Sequence, residues 1–118
     1  MCIFCKIVDG EIPSNKILED ENFLAFHDIN PAAPIHVLVI PKEHVESFND
    51  ISAELMGKMT PFIQEVAKKM GLVENGYRLI TNVGSDGGQE VKHLHFHILG
   101  GGRLIWKHYQ ENDPRKNI

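Results

Sequence analysis

Histidines occupy alternate positions along His93-Leu94-His95-Phe96-His97-Ile98-Leu99, with apolar residues between and after them. In an extended strand, side chains i, i+2 and i+4 share a face. The spacing therefore predicts a last strand over 93–99, with His93, His95 and His97 in one row, about 6.5–7 Å apart. Leu94, Phe96 and Ile98 would bury the opposite face. Two kinds of chemistry suit such a row: metal ligation through ring nitrogens, or the handling of a phosphate whose charge and leaving group need nitrogen bases and donors. Cys2-Ile3-Phe4-Cys5 is a C-x-x-C pair, half of a tetrahedral zinc site; it reads equally as two small apolar residues packing a short helix. Gly84-Ser85-Asp86-Gly87-Gly88-Gln89 could turn backbone N–H groups toward an anion, or could be a plain hairpin turn.

The elements that must position these groups are legible from periodicity. Ile3, Phe4, Ile7 and Val8 have helical spacing up to Gly10. Ile17-Leu18 and Phe23 to His27 flank the polar turn 19–22 and predict a hairpin. His36 to Ile40 is an apolar, largely β-branched run stopped by Pro41, a buried strand. From Ser52 to Met70, Leu55, Met59, Phe62, Ile63, Val66 and Met70 fall at helical intervals, with Gly71 as the stop. Pro61 lies inside that run and is expected to kink or restart the helix, with Thr60 as a second N-cap. Tyr77 to Val83 is a further strand. The order β-β-β-α-β-β predicts an α+β domain built on an antiparallel sheet with one main helix.

Composition narrows the function classes. A chain of 118 residues, 42% hydrophobic and 24% charged, fits one ordinary globular domain. A net charge of −4 argues against a general nucleic-acid binder. No apolar run approaches the roughly 18 residues of a membrane span, and the N-terminus lacks the pattern of a secretory signal. A cytoplasmic location is the expectation, and in a reducing compartment Cys2 and Cys5 would be thiols or metal ligands.

The pattern from Gly88 to Gly101, with His-φ-His-φ-His-φ-φ at its centre (φ apolar), resembles the histidine triad (HIT) superfamily. The resemblance extends through Ile3-Phe4-Cys5-Lys6-Ile7, Glu11-Ile12-Pro13, Ala25-Phe26-His27-Asp28-Ile29, Pro34 to Lys42, Gly76-Tyr77-Arg78-Leu79 and Asn82 to Gln89. It covers nearly all but the last dozen residues. The glycine-rich turn, the glycines after the triad and Trp106 are similar to the nucleotide-binding, phosphoramidase branch. The dinucleoside polyphosphate hydrolases of the fragile-histidine-triad branch share less. Glu90 stands where animal members have serine, which makes this a bacterial-type member. The resemblance implies a single domain over 1–118 with a polar tail at 107–118. It also implies a five-stranded antiparallel sheet with one main and one short N-terminal helix, paired across a homodimer.

What the resemblance implies for the site is specific. His95 would be the nucleophile on the α-phosphorus of a purine nucleotide, cleaving a nucleoside phosphoramidate. His97 would donate to the phosphate oxygens, with His36 and His93 in orienting or relay roles. Asp28 would accept the ribose hydroxyls; by itself it also reads as the start of an Asn30-Pro31 turn. Ile3, Phe4, Ile7, Phe26 and Ile29 would form the base slot, although as an apolar cluster they also read as core. Asn82, Gly88, Gln89 and Glu90 would meet the phosphate and leaving group. Trp106 would shape the partner subunit's site or else cover the domain's own core, and His27 and His108 carry no assigned role. Some bacterial members complete a Cys₂His₂ zinc site, which here would be Cys2, Cys5, His44 and His93; catalysis itself would need no metal. Dinucleoside polyphosphate hydrolysis and non-catalytic nucleotide binding are the competing readings.

Overall fold

The computed structural model describes residues 2–106; the 107–118 tail, His108 included, lies outside them. Five strands form one antiparallel sheet: β1 (Lys16–Glu19), β2 (Phe23–His27), β3 (Ile35–Pro41), β4 (Arg78–Ile80) and β5 (Phe96–Gly100), in the order β1-β2-β3-β5-β4. Two helices, α1 (Ile3–Val8) and α2 (Ala53–Lys69), accompany it. This is the α+β architecture expected from the element order. Among the described residues no helix is long and apolar enough to cross a membrane.

Alternation along the strands divides the molecule into two cores. Phe23, Ala25, Val37, Val39, Leu94, Phe96 and Ile98 pack against Met59, Phe62, Ile63 and Val66 of α2. Leu24, Phe26, Leu38 and Ile40 point the other way and meet Phe4 and Ile7 of α1. His36 shares this second face, since it sits two residues before Leu38 on β3. The register sets Phe26 beside Leu38, and Leu38 beside His97, so the α1 face of the sheet carries the imidazoles.

Local chemistry accounts for most boundaries. Asp20 turns the β1–β2 hairpin, its Oδ1 accepting from the Asn22 and Phe23 amides at 2.8 Å each. Ser52 caps α2 by accepting from Leu55 N–H at 3.0 Å, and Gly71 leaves it at φ +72°.

Three expectations need correction. Of the kink or restart expected at Pro61, the restart does not occur: α2 runs as one helix across it. Pro61 and Gly57, the residue whose carbonyl loses its partner, are both exposed, so water can take up the freed acceptor. Thr60 is no cap; its hydroxyl donates to Met56 O at 3.0 Å. The strand predicted at 77–83 is shorter, ending at Ile80, because Thr81 Oγ1 donates to His95 O at 2.8 Å instead of continuing the ladder. The last strand begins at Phe96 rather than His93. There Leu94 N–H is drawn to Val45 O at 2.6 Å, which pulls the backbone of 93–95 off the sheet.

Candidate active site

The side chains of residues 93–98 keep their alternation even where the strand is lost. Leu94 (1% exposed), Phe96 and Ile98 enter the α2 core, while His93, His95 and His97 face the α1 side. The Phe4 ring stands edge-on to His95 at 5.1 Å and to His93 at 5.8 Å, and His95 and His97 are 5.0 Å apart. The row predicted from spacing is present, His93 and His95 held by main-chain carbonyls and His97 by the His36 ring.

His36, His93 and His95 each have one ring nitrogen committed to a backbone atom, and that commitment assigns their tautomers and, through His36, that of His97. His95 Nδ1 lies 2.8 Å from His93 O; a carbonyl only accepts, so Nδ1 carries the proton and Nε2 keeps its lone pair. His93 Nε2 lies 2.8 Å from Pro41 O, which leaves Nδ1 as the basic nitrogen. His36 Nδ1 accepts from Ala32 N–H at 2.9 Å, so its proton sits on Nε2. That proton is donated to His97 Nδ1 at 2.8 Å, which leaves His97 presenting Nε2–H. Asp28 Oδ2 stands 3.4 Å from His36 Nε2.

Burial favours the neutral form of His36, His93 and His97. It pushes His97 down to about 4, with the neighbouring His95 and His36 lowering it further. His36 and His93 are also lowered, burial being the main cause in both. The linkage has a definite sign. Between about pH 6.5 and pH 4 the unfolded chain takes protons that folded His97 refuses, so stability falls as pH falls through that window. Urea titrations at several pH values should show wild type losing more stability on acidification than His97→Gln; equal losses would remove His97 from the account.

A cleft of about 590 Å³ opens on this face, within the range of small-ligand sites. His95, His97, Asp28, Asn82, Gly88 and Glu90 line it, together with the apolar Ile3, Phe4, Ile7, Phe26 and Ile29. Phe4, Ile7 and Phe26 are at most 7% exposed and serve the second core as well, whereas Ile29 is 89% exposed at the rim. Asp28 also begins the turn expected of it, Oδ1 accepting from Asn30 N–H at 2.8 Å. His36 and His93 stand outside the lining, buried at 7% and 0% exposure.

The glycine-rich turn serves itself first. Gln89 does not line the cleft. Its Oε1 accepts from Gly84 N–H, and its Nε2 donates to Glu46 O and Val91 O, so the amide is consumed in holding the loop. The Gly84, Gly88 and Gln89 amides are likewise bound within the turn. Asn82 reaches the cleft but donates to Gly87 O at 2.7 Å. A Cβ at Gly87 would lie 2.3 Å from Val83 O and 2.9 Å from Val83 N, backbone atoms that cannot step aside. Gly87→Ala should cost about 1–3 kcal/mol and displace Asn82 and Gly88; a lower urea midpoint together with a raised KM would show it.

Several lining residues escaped the sequence reading. Leu38 was findable, because it shares a strand face with His36 two residues away. His27, left without a role, lines the cleft, as do Ser14 and Asn15; nothing in their local pattern marked them. The Ser14 hydroxyl is buried with no partner among the described residues. Trp106 does not cover the core: it is 78% exposed, with the Arg78 guanidinium 5.8 Å from its ring centroid.

Cys2, Cys5, His44 and His93 come together across 91 residues of chain, their ligand atoms all within 4.8 Å of one another. Cys2 Sγ is 3.1 Å from Cys5 Sγ and 3.2 Å from His93 Nδ1, and Cys5 Sγ is 3.2 Å from His44 Nδ1. The nitrogen that His93 turns to the thiols is its basic one. Burial first, then the neighbouring Cys2, pushes the Cys5 thiol up; a divalent cation held by these residues would supply the opposite charge that this pair lacks. This cluster could hold a metal. Asp28, His36 and His97 also lie close together, but His36 Nε2 there is a proton donor and has no lone pair to give.

Comparison with known proteins places these features in a family context. The HIT domain model matches residues 9–104. A HIT-like protein of Helicobacter pylori is 59% identical over 103 residues, 87% of this chain and 99% of that protein. The crystal structure of a HIT family hydrolase from Legionella pneumophila superposes with a TM-score of 0.86 at 49% identity, covering 90% of this chain and 97% of that one. A histidine triad nucleotide-binding protein from Candida albicans gives a TM-score of 0.81 at 34% identity, covering 99% and 90%.

Proposed function

The chain belongs to the HIT family, and from that premise we propose that it hydrolyses purine nucleoside phosphoramidates through a nucleotidyl-His95 intermediate. One observation carries the reading: His95 Nδ1–H is fixed on His93 O, which leaves a lone pair on Nε2 of an imidazole that lines the cleft. In the first half-reaction Nε2 bonds to the α-phosphorus as the P–N bond breaks and the amine departs with a proton taken from solvent. In the second, water attacks the same phosphorus and gives up a proton to solvent, the N–P bond to His95 breaks, and the nucleoside monophosphate leaves. His97 Nε2–H supplies a hydrogen bond to the phosphoryl oxygens as charge gathers on them.

The remaining assignments follow the family resemblance and fall on residues that line the cleft. Ile3, Phe4, Ile7, Phe26 and Ile29 take the purine, Asp28 the ribose hydroxyls, and Asn82, Gly88 and Glu90 the phosphate end. Gln89 acts at one remove, by holding the loop. Zinc is the metal that best suits two thiols and two imidazoles, and its role is structural, since catalysis proceeds from His95 itself. The partner is a second copy of the chain, met along β4: that strand is at the edge of the sheet, and Tyr77, Leu79, Ile105 and Trp106 are exposed nearby. A cytoplasmic enzyme fits the paired thiols.

The test is quench mass spectrometry with a fluorogenic adenosine phosphoramidate. A nucleotidyl adduct on the peptide containing His95 is the expected result. Tight AMP binding without turnover or adduct would replace the enzyme with a nucleotide-binding scaffold, while faster cleavage of a dinucleoside polyphosphate would change the leaving group and keep the nucleophile.

A further inference from the structure

The four-residue Cys/His cluster and the nucleotide cleft share two pieces of chain. α1 brings Cys5 to the cluster, with Cys2 as its N-cap, and brings Ile3, Phe4 and Ile7 to the cleft. His93 turns Nδ1 toward the thiols, while its carbonyl oxygen holds His95 Nδ1–H at 2.8 Å. The Phe4 ring touches both His93 and His95. With six residues, α1 is far too short to hold its place by helical propensity; whatever fixes its N-terminus fixes a wall of the cleft.

We propose, resting on the zinc reading above, that Cys2, Cys5 and His44 are positioning residues for nucleotide binding. Metal in the cluster and nucleotide in the cleft favour the same placement of α1 and of the His93 backbone, so each ligand raises the affinity for the other. Reciprocity is required by linkage, and couplings of this kind usually amount to about 5–150-fold.

The experiment measures AMP affinity calorimetrically for zinc-loaded and zinc-free protein, and zinc affinity by chelator competition with and without saturating AMP. Zinc-loaded protein should bind AMP at least about fivefold more tightly, and AMP should raise zinc affinity by the same factor. Hydrogen exchange should slow on zinc addition in residues 3–10 and 91–95 and stay unchanged in α2. Cys5→His, which keeps a ligand, should keep the coupling, and Cys5→Ser should lose it. Stoichiometric zinc with unaltered AMP affinity would overturn the coupling and leave the zinc reading standing. Failure to bind zinc at all would overturn both. Zinc removal that speeds exchange in α2 as much as in α1 would make the metal a global folding element and overturn the positioning role.

Discussion

His95→Ala lowers phosphoramidate turnover by about 10⁴-fold or more, the scale expected when a nucleophile is deleted, and AMP binding persists. Persistence follows from the cleft, where the apolar wall of Ile3, Phe4, Ile7 and Phe26 is built without His95. The pairing of outcomes separates the competing functions. A scaffold loses nothing on this substitution. An enzyme using the triad as metal ligands would lose activity on chelation instead, but the triad nitrogens do not converge: His93 Nδ1 faces the thiols, and His97 Nδ1 accepts from His36. Single-turnover kinetics beside AMP calorimetry reads both quantities. Turnover within tenfold of wild type would remove His95 from the nucleophile's place.

The second large effect is structural. Phe4→Ala should cost about 3–5 kcal/mol, the usual figure for truncating a buried aromatic side chain, and should weaken AMP binding by roughly tenfold through the lost ring contacts. Phe4 is 7% exposed and stands edge-on to Phe26 at 5.9 Å as well as to His93 and His95. Removing it therefore opens a hole bordered by the nucleophile. Phe4→Leu restores volume and should recover most of the stability but less of the affinity. Urea melts and AMP calorimetry on both variants check this; full affinity in Phe4→Ala would place the base elsewhere.

These expectations trace back unevenly to sequence. The hairpin, β3 and α2 were legible because alternation, a 3.6-residue period and Ser52 are local signals. The triad's shared face was legible for the same reason, although the strand itself begins at Phe96. The tautomers were not, because they depend on the Pro41 carbonyl, the His93 carbonyl and the Ala32 amide, main-chain atoms that any residue supplies. Resemblance pointed to the Cys/His set, which local pattern could not, since its members lie up to 91 positions apart. Gln89 shows the opposite failure. Its side chain looked free to meet a ligand, yet three main-chain atoms claim it. Pro61 looked disruptive because the rule assumes a buried helix interior, and here the affected turn faces water.

The partition of the sheet has a practical consequence for engineering this protein. On β3, residue parity sorts the substitutions: Val37 and Val39 belong to the α2 core, and His36, Leu38 and Ile40 to the other side. A library confined to odd positions would tune thermal tolerance with little change in substrate selectivity, whereas one confined to even positions would change selectivity and stability together, because Leu38 and Ile40 are buried in the second core. The two libraries could be optimised separately and then combined, because a single hydrogen-bonded layer of backbone lies between the side chains they alter.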